Sequence, residues 1–391
     1  MRTPSSVRLF LVATVVAAAA PALAEDASSI RLRGLLDVAL HNDTHAADIA
    51  TFNGVDSPLQ SQRLRLFFEG TASPTLDVFT QVILAQETIA LEGAYALVTP
   101  WRERDLHLSA GKIPWPIGTW APRTYSNENP FVTSPLMYQH HTSLGWDQVP
   151  PSPAALLAAA GTGWEGADYG SGAGAVGMPI VDDYGWDFGI VALGSVGRLE
   201  FSGGLTNSAP GWSSPSEDAN GGKAVMGRLG FVPTVGLRLG LSAAQGAYLG
   251  EWVSYALPAG KKETDYMQTL GMADFSYEWG RVELRAEGFV NEWETAYCGT
   301  LRSTGGYAEG RFGFDSGVWL AGRAEALRHS ELTDGSLTRP WDDEVDRLDV
   351  CVGYRIARGA AIKADWQRAR LHRLDGAQTS DLFVGQLSLE F

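Results

Sequence analysis

The chain has 391 residues, including 45 glycines and 13 tryptophans, with 19% charged residues and a formal net charge of −15. That charge excludes nucleic acid as a partner, which calls for a basic surface. The charged fraction is low for a soluble globular enzyme. After the N-terminal segment no apolar stretch of about 18 residues occurs, so no helical membrane span is expected.

Taken in chain order, the first element is a targeting segment. Arg2 and Arg8 precede an apolar run from Leu9 to Ala20, and Ala22-Leu23-Ala24 supplies the small-x-small pattern before Glu25. This reads as a secretory signal peptide over 1–24, leaving 25–391 as the exported chain.

From residue 30 onward the pattern is alternation. Period-two runs broken by turn residues predict strands. They fall at 30–40, 62–72, 75–85, 90–99 and 104–113, then, after a long interruption, at 186–193, 198–206, 223–232, 235–244, 264–277, 281–291, 305–314, 317–327, 345–356, 361–370 and 379–391. The count is about sixteen. Short connections alternate with long ones, the asymmetry of a transmembrane antiparallel β-barrel with tight turns at one rim and loops at the other. The fold class read from the sequence is therefore all-β, a barrel of about sixteen strands. Trp101, Tyr277, Trp279 and Phe314 fall near short turns. Tyr95, Trp186, Trp293 and Trp366 fall towards the other strand ends, so two aromatic belts are expected.

The greasier face of each strand must face lipid, because an arginine or lysine at the bilayer midplane costs about 2–4 kcal/mol. The charged face then lines the lumen. Arg31, Arg33, Arg63 and Arg65 are expected as an arginine wall on adjacent strands, suited to guiding anions. Arg281, Arg285, Arg311, Arg323, Arg347, Arg355 and Lys363 are expected to line the pore among carboxylates. The interruption over 114–185 is too long for an ordinary hairpin. Lys112 at its start and, within it, Arg123, Glu128, Asp147, Asp182 and Asp183 are expected at a constriction; with Glu165 and Asp168 the loop is acidic, and opposite the arginine wall it would set up a transverse field. Whether the loop narrows or fully plugs the lumen is left open.

The chain ends Phe383-Val384-Gly385-Gln386-Leu387-Ser388-Leu389-Glu390-Phe391, alternating to its last residue. An ending on Phe after such alternation resembles Gram-negative outer-membrane β-barrel proteins. The final strand should close against 30–40, bringing Ser388 and Glu390 beside Arg31 and Arg33. The long interruption is placed like the third outer loop of general porins, which folds into the barrel. Its start, Gly111-Lys112-Ile113-Pro114-Trp115-Pro116-Ile117-Gly118, resembles the Gly-Lys-x-Pro-x-x-x-Gly turn of the phosphate-selective porin superfamily. The resemblance implies an outer-membrane porin reached by Sec-type export, in contact with outer-membrane lipid. It would pass small hydrophilic solutes and ions by diffusion, with homotrimers common among its relatives. It does not carry a substrate.

Two other readings are weighed. A binding or scaffold barrel with a plugged lumen is the alternative, and a barrel hydrolase is the weaker one. His140, His141 and Ser143 are the compact set that would serve hydrolysis, which requires a base beside the serine and a group to orient it. No metal, nucleotide or redox-cofactor motif is present, so no cofactor and no catalytic residue is assigned. Cys298 and Cys351 are far apart in sequence, and whether they pair is left open.

Overall fold

A computed structural model describes residues 30–42, 61–85, 88–169, 176–182, 185–213, 218–373 and 376–391. The signal segment 1–24 lies outside the described residues. Sixteen strands form a closed antiparallel barrel. They are β1 (Ile30–His41), β2 (Ser61–Ser73), β3 (Leu76–Ala85), β4 (Thr88–Val98), β5 (Leu106–Pro114), β6 (Trp186–Val196), β7 (Leu199–Thr206), β8 (Ala224–Thr234), β9 (Leu237–Ala247), β10 (Met267–Trp279), β11 (Val282–Glu294), β12 (Thr300–Gly313), β13 (Val318–His329), β16 (Glu344–Ala357), β17 (Ala360–Arg373) and β18 (Gly376–Glu390). Two further strands, β14 (Glu331–Asp334) and β15 (Leu337–Pro340), pair only with each other. They form a hairpin in the β13–β16 loop, a segment with no strand prediction.

Each strand keeps its polar side inward. Ile190, Val225, Leu229 and Leu241 are 61–70% exposed on the outer surface. Asp37, Arg65, Arg323, Arg347 and Asp349 are buried inside. Apolar-out and charged-in is the arrangement of a membrane-spanning barrel. No helix among the described residues is long and apolar enough to cross a membrane.

The strand ends differ from expectation mainly at the long-loop rim. β11 and β12 extend until only 295–299 separate them, and β17 and β18 until only 374–375 do. Both pairs continue their ladders beyond the point where apolar alternation stops, because backbone pairing needs no apolar side chain. Of the two aromatic belts, the short-turn belt is exposed at Trp101, Trp279 and Phe314. At the other rim Trp186 and Trp293 are buried instead. Trp186 stacks with Phe79 at 6.2 Å, and Trp293 packs edge-on to Tyr248 at 5.0 Å. Cys298 and Cys351 are buried and unpaired.

The barrel closes between β1 and β18. Leu35 lies opposite Glu390 and Asp37 opposite Ser388. The closing register is therefore shifted from the expected one. Arg31 and Arg33 extend past the end of β18, and Ser388 meets Asp37. Phe391 adds the last rung, exchanging backbone hydrogen bonds with Gly34 at 2.8 and 3.0 Å. Its ring covers Gly34, where an added Cβ would stand 2.3 Å from the ring. Gly34→Val should push the ring away and weaken the seam by about 1–3 kcal/mol. Deleting Phe391 should slow assembly. Both are checked by the fraction of heat-modifiable folded barrel on semi-native gels, and wild-type yields for both would refute the role of this contact.

Candidate functional site

The connection 115–185 enters the lumen and binds its wall. Its described residues carry a 3-10 turn at Ala121–Thr124, the short helices α1 (Leu136–Gln139) and α2 (Pro153–Ala158), and otherwise irregular backbone. Irregular backbone makes few internal hydrogen bonds, so its buried N–H and C=O groups need partners elsewhere. The inward charges of the barrel supply them.

Lys363 of β17 donates to the carbonyls of Ser126, Asn129 and Phe131 at 2.6, 2.7 and 3.1 Å. Arg323 of β13 donates to Thr133 Oγ1 at 2.7 Å and to the Thr133 and Ser134 carbonyls at 3.2 Å. Arg347 of β16 reaches the Ser134 carbonyl and, at 3.2 Å, Gln139. Carboxylates take the loop's N–H groups. Asp365 accepts from Val132 N at 2.9 Å, Glu325 from Leu136 N at 2.5 Å, and Glu287 from Thr119 N at 2.5 Å. Glu287 also accepts from the hydroxyls of Tyr138 and Tyr307 at 2.6 and 3.0 Å. Arg323, Glu325, Arg347 and Asp349 pair among themselves in a fully buried group.

The opposite wall holds the loop too. Ser126 donates to Asp37 of β1 and lies 2.7 Å from Ser388 of β18. Arg65 donates to the Thr124 carbonyl at 3.3 Å, and Tyr125 to Gln81 at 2.8 Å. Between these anchors Trp115, Trp120, Met137 and Ile180 pack on inward apolar residues such as Met226, Leu270 and Phe289. The loop spans the lumen from wall to wall.

The expected arginine wall is present in altered form. Arg33 pairs with Glu69, Arg63 with Asp37 at 3.2 Å, and Arg65 with both oxygens of Glu92 at 2.9 and 3.1 Å. Arg31 is exposed. Among the described residues, the carboxylates shown paired with Arg33, Arg63 and Arg65 belong to barrel strands. This replaces the expected field between acidic loop and arginine wall. Asp182 accepts instead from the N–H and hydroxyl of Ser213 in an outer loop, at 2.8 and 2.7 Å. Asp147 is half-buried beside Trp146, and Asp183 lies outside the described residues. Arg123 is buried in an ion pair with Glu309. Lys112 belongs to β5 rather than the loop, and its Nζ donates to the Leu91 carbonyl at 2.6 Å. Glu128 is exposed in the floor of a cavity described below.

Of the other predicted pore residues, Arg281 pairs with Asp315 at the short-turn rim. Arg285 lies 3.0 Å from Glu278, and Arg311 pairs with Glu283. Glu92 was not singled out from the sequence. It is the extra residue of a β-bulge, for Gln81 pairs with Gly93 while Val82 pairs with Leu91. The bulge turns Glu92 inward to Arg65, as bulges re-aim side chains. A lone carboxylate in the apolar run Ile89–Val98 was the available signal, since a buried acid requires a partner.

Ser143 donates from its N–H and hydroxyl to Asp342, at 2.6 and 3.1 Å, and Gly161 N donates to the same carboxylate at 2.7 Å. His141 bonds the Gly177 carbonyl through Nδ1 at 2.5 Å and stacks on Trp164. Burial lowers the pKa of both His140 and His141, the latter to about 4. Ser143 is thus tied to Asp342, which clamps two points of the loop, and no imidazole hydrogen bond to it occurs among the described residues.

Two spaces among the described residues bear on passage through the lumen. A cavity of about 650 Å³ opens at the short-turn rim, with residues 126–130 as its floor. A chamber of about 50 Å³ lies beside Arg63, Arg65 and Gln386. Ser126 and Asn129 line both and form the partition between them.

No family model and no curated protein sequence matches the chain. Solved structures do match its fold. OmpT with loop L8 deleted, an outer membrane protein of Vibrio cholerae, aligns at a TM-score of 0.58 and 13% identity over 94% of this chain and all of that one. The trimer form of OmpT from the same organism aligns at 0.53 and 11%, over 94% and 100%. An anion-selective porin from Comamonas acidovorans aligns at 0.56 and 11%, over 93% and 99%. The likeness is one of fold: this chain has the closed sixteen-stranded barrel of bacterial outer-membrane porins.

Replacing Lys363 with Met would leave three loop carbonyls without their donor, at about 1–3 kcal/mol for each buried group left unsatisfied. Residues 126–131 should then become cleavable by protease in the folded barrel, mapped by mass spectrometry. Protection equal to wild type would show that Lys363 is not the latch.

Proposed function

We propose that this chain is an outer-membrane porin-like channel of narrow bore in a Gram-negative bacterium. It passes ions and small hydrophilic solutes by diffusion after Sec-type export and assembly. The observation that carries this reading is the pair of polar spaces inside an apolar-out barrel. The 650 Å³ vestibule leads to the 50 Å³ chamber beside Arg63 and Arg65, with the turn at Ser126–Asn129 between them. The loop occupies much of the remaining lumen, so passage runs from the vestibule, lined by β10–β13 and β16–β18, to the chamber beside β2 and β18. Exclusion there is by size first. Charge acts second, because each guanidinium already faces a carboxylate and the local field is the small residue of opposing charges. The fold match to a trimeric form of OmpT supports a homotrimer.

The wall-to-wall anchoring of 119–138 favours a second reading, a binding or scaffold barrel with a closed lumen. Conductance of the purified protein in planar bilayers separates the two, and an ion-tight barrel would overturn the channel reading. In a conducting barrel, Arg63→Gln with Arg65→Gln should unmask Asp37 and Glu92 and move the reversal potential towards cation selectivity. Unchanged selectivity would assign these arginines to holding the loop alone.

A further inference from the structure

We infer that the vestibule at the short-turn rim is a binding site for small oxyanions bearing a carboxylate or phosphate group, occupied from that side only. This deepens the channel reading and rests on its placement of the vestibule, but the site itself stands on the cavity and its charges.

The cavity is large enough for a small organic molecule, within the range of about 300–1,000 Å³ usual for ligand sites. Five cationic side chains line it, Arg285, Arg311, Arg355, Arg358 and Lys363, against the four carboxylates of Glu128, Glu278, Glu283 and Glu390. A concavity with a cationic excess is against the trend of a chain carrying −15.

The cations are not equivalent. Arg285 and Arg311 share Glu283, and Arg285 also meets Glu278. Lys363 is consumed by three loop carbonyls. Arg355 and Arg358 have no side-chain hydrogen bond or ion pair among the described residues. Arg355 lies near the end of β16 and Arg358 in the β16–β17 turn, where the ladder shifts register between Arg355 and Ala357. That irregularity places two guanidiniums three residues apart on the same cavity. Guanidinium is the side chain that matches the two-oxygen edge of a carboxylate or phosphate. Placement in a concavity rather than on open surface limits screening of the attraction.

The floor gives the site its sidedness. Residues 126–130 stand between the cavity and the chamber beyond it and are held by Lys363 and Asp37. A ligand entering from the short-turn rim meets the two arginines before the partition, whereas one from the long-loop rim meets the partition first.

The test is titration calorimetry of the full-length barrel in detergent with inorganic phosphate and, separately, succinate. Binding of at least one is expected, weakened tenfold or more in Arg355→Gln/Arg358→Gln. Arg355→Lys/Arg358→Lys should fall between, since charge remains but the fork is lost. Preference between the two probes identifies phosphate or carboxylate as the favoured group. No binding of either probe, or equal binding in wild type and the Gln variant, would overturn the site. In single conducting channels the bound probe should reduce current from one side only, and equal block from both sides would overturn the sidedness. Calorimetry does not depend on conduction, so an ion-tight barrel would defeat the channel reading without deciding this one.

Discussion

A peptide chain threaded through a closed barrel must have its buried backbone groups satisfied, and this constraint organises the molecule. The loop over 115–135 has little regular structure with which to pair its own N–H and C=O groups. Each buried group left bare would cost about 1–3 kcal/mol. Lys363, Arg323 and Arg347 cover the carbonyls, while Asp365, Glu325 and Glu287 cover the N–H groups. The inward charges therefore have a structural task before any transport task.

The same constraint explains why the charges are paired so closely. A charge held inside protein rather than water requires a partner, and removing one member of a buried pair costs about 3–5 kcal/mol. Arg323 and Arg347 share Glu325 and Asp349, so the Thr133 and Ser134 carbonyls are held by guanidiniums already fixed in place. At the short-turn mouth Arg281, Arg285 and Arg311 are still paired. Arg355 and Arg358 sit at the water-filled mouth, where hydration replaces a protein partner.

Much of the barrel was legible in the chain. Alternation located all sixteen barrel strands, because a strand with lipid outside and polar lumen inside must alternate. The terminal alternation identified Phe391 as part of the closing seam. The β14–β15 hairpin was not legible, since Glu331–Pro340 is polar on both faces and has no apolar period. Trp186 and Trp293 were misplaced for the opposite reason. An aromatic at a strand end has the same sequence signature whether it faces lipid or fills the lumen. Glu92 was missed because a bulge changes parity by one residue, which period-two counting cannot anticipate.

By itself the sequence determined the class of solvent on each side of the barrel, the strand number and the identity of the long inward loop. These follow from local periodicity, which each strand carries independently of its neighbours. Only the tertiary structure decided what the charges face. Arg65 could have met an anion, the loop's acids or a wall carboxylate, and 27 residues along the chain Glu92 turns out to be its partner. Lys363 is a pore-lining lysine by parity, yet it binds carbonyls more than 230 residues away. Such pairings depend on strand register and on the path of the loop. Both are collective properties of the closed barrel, and no local pattern encodes them.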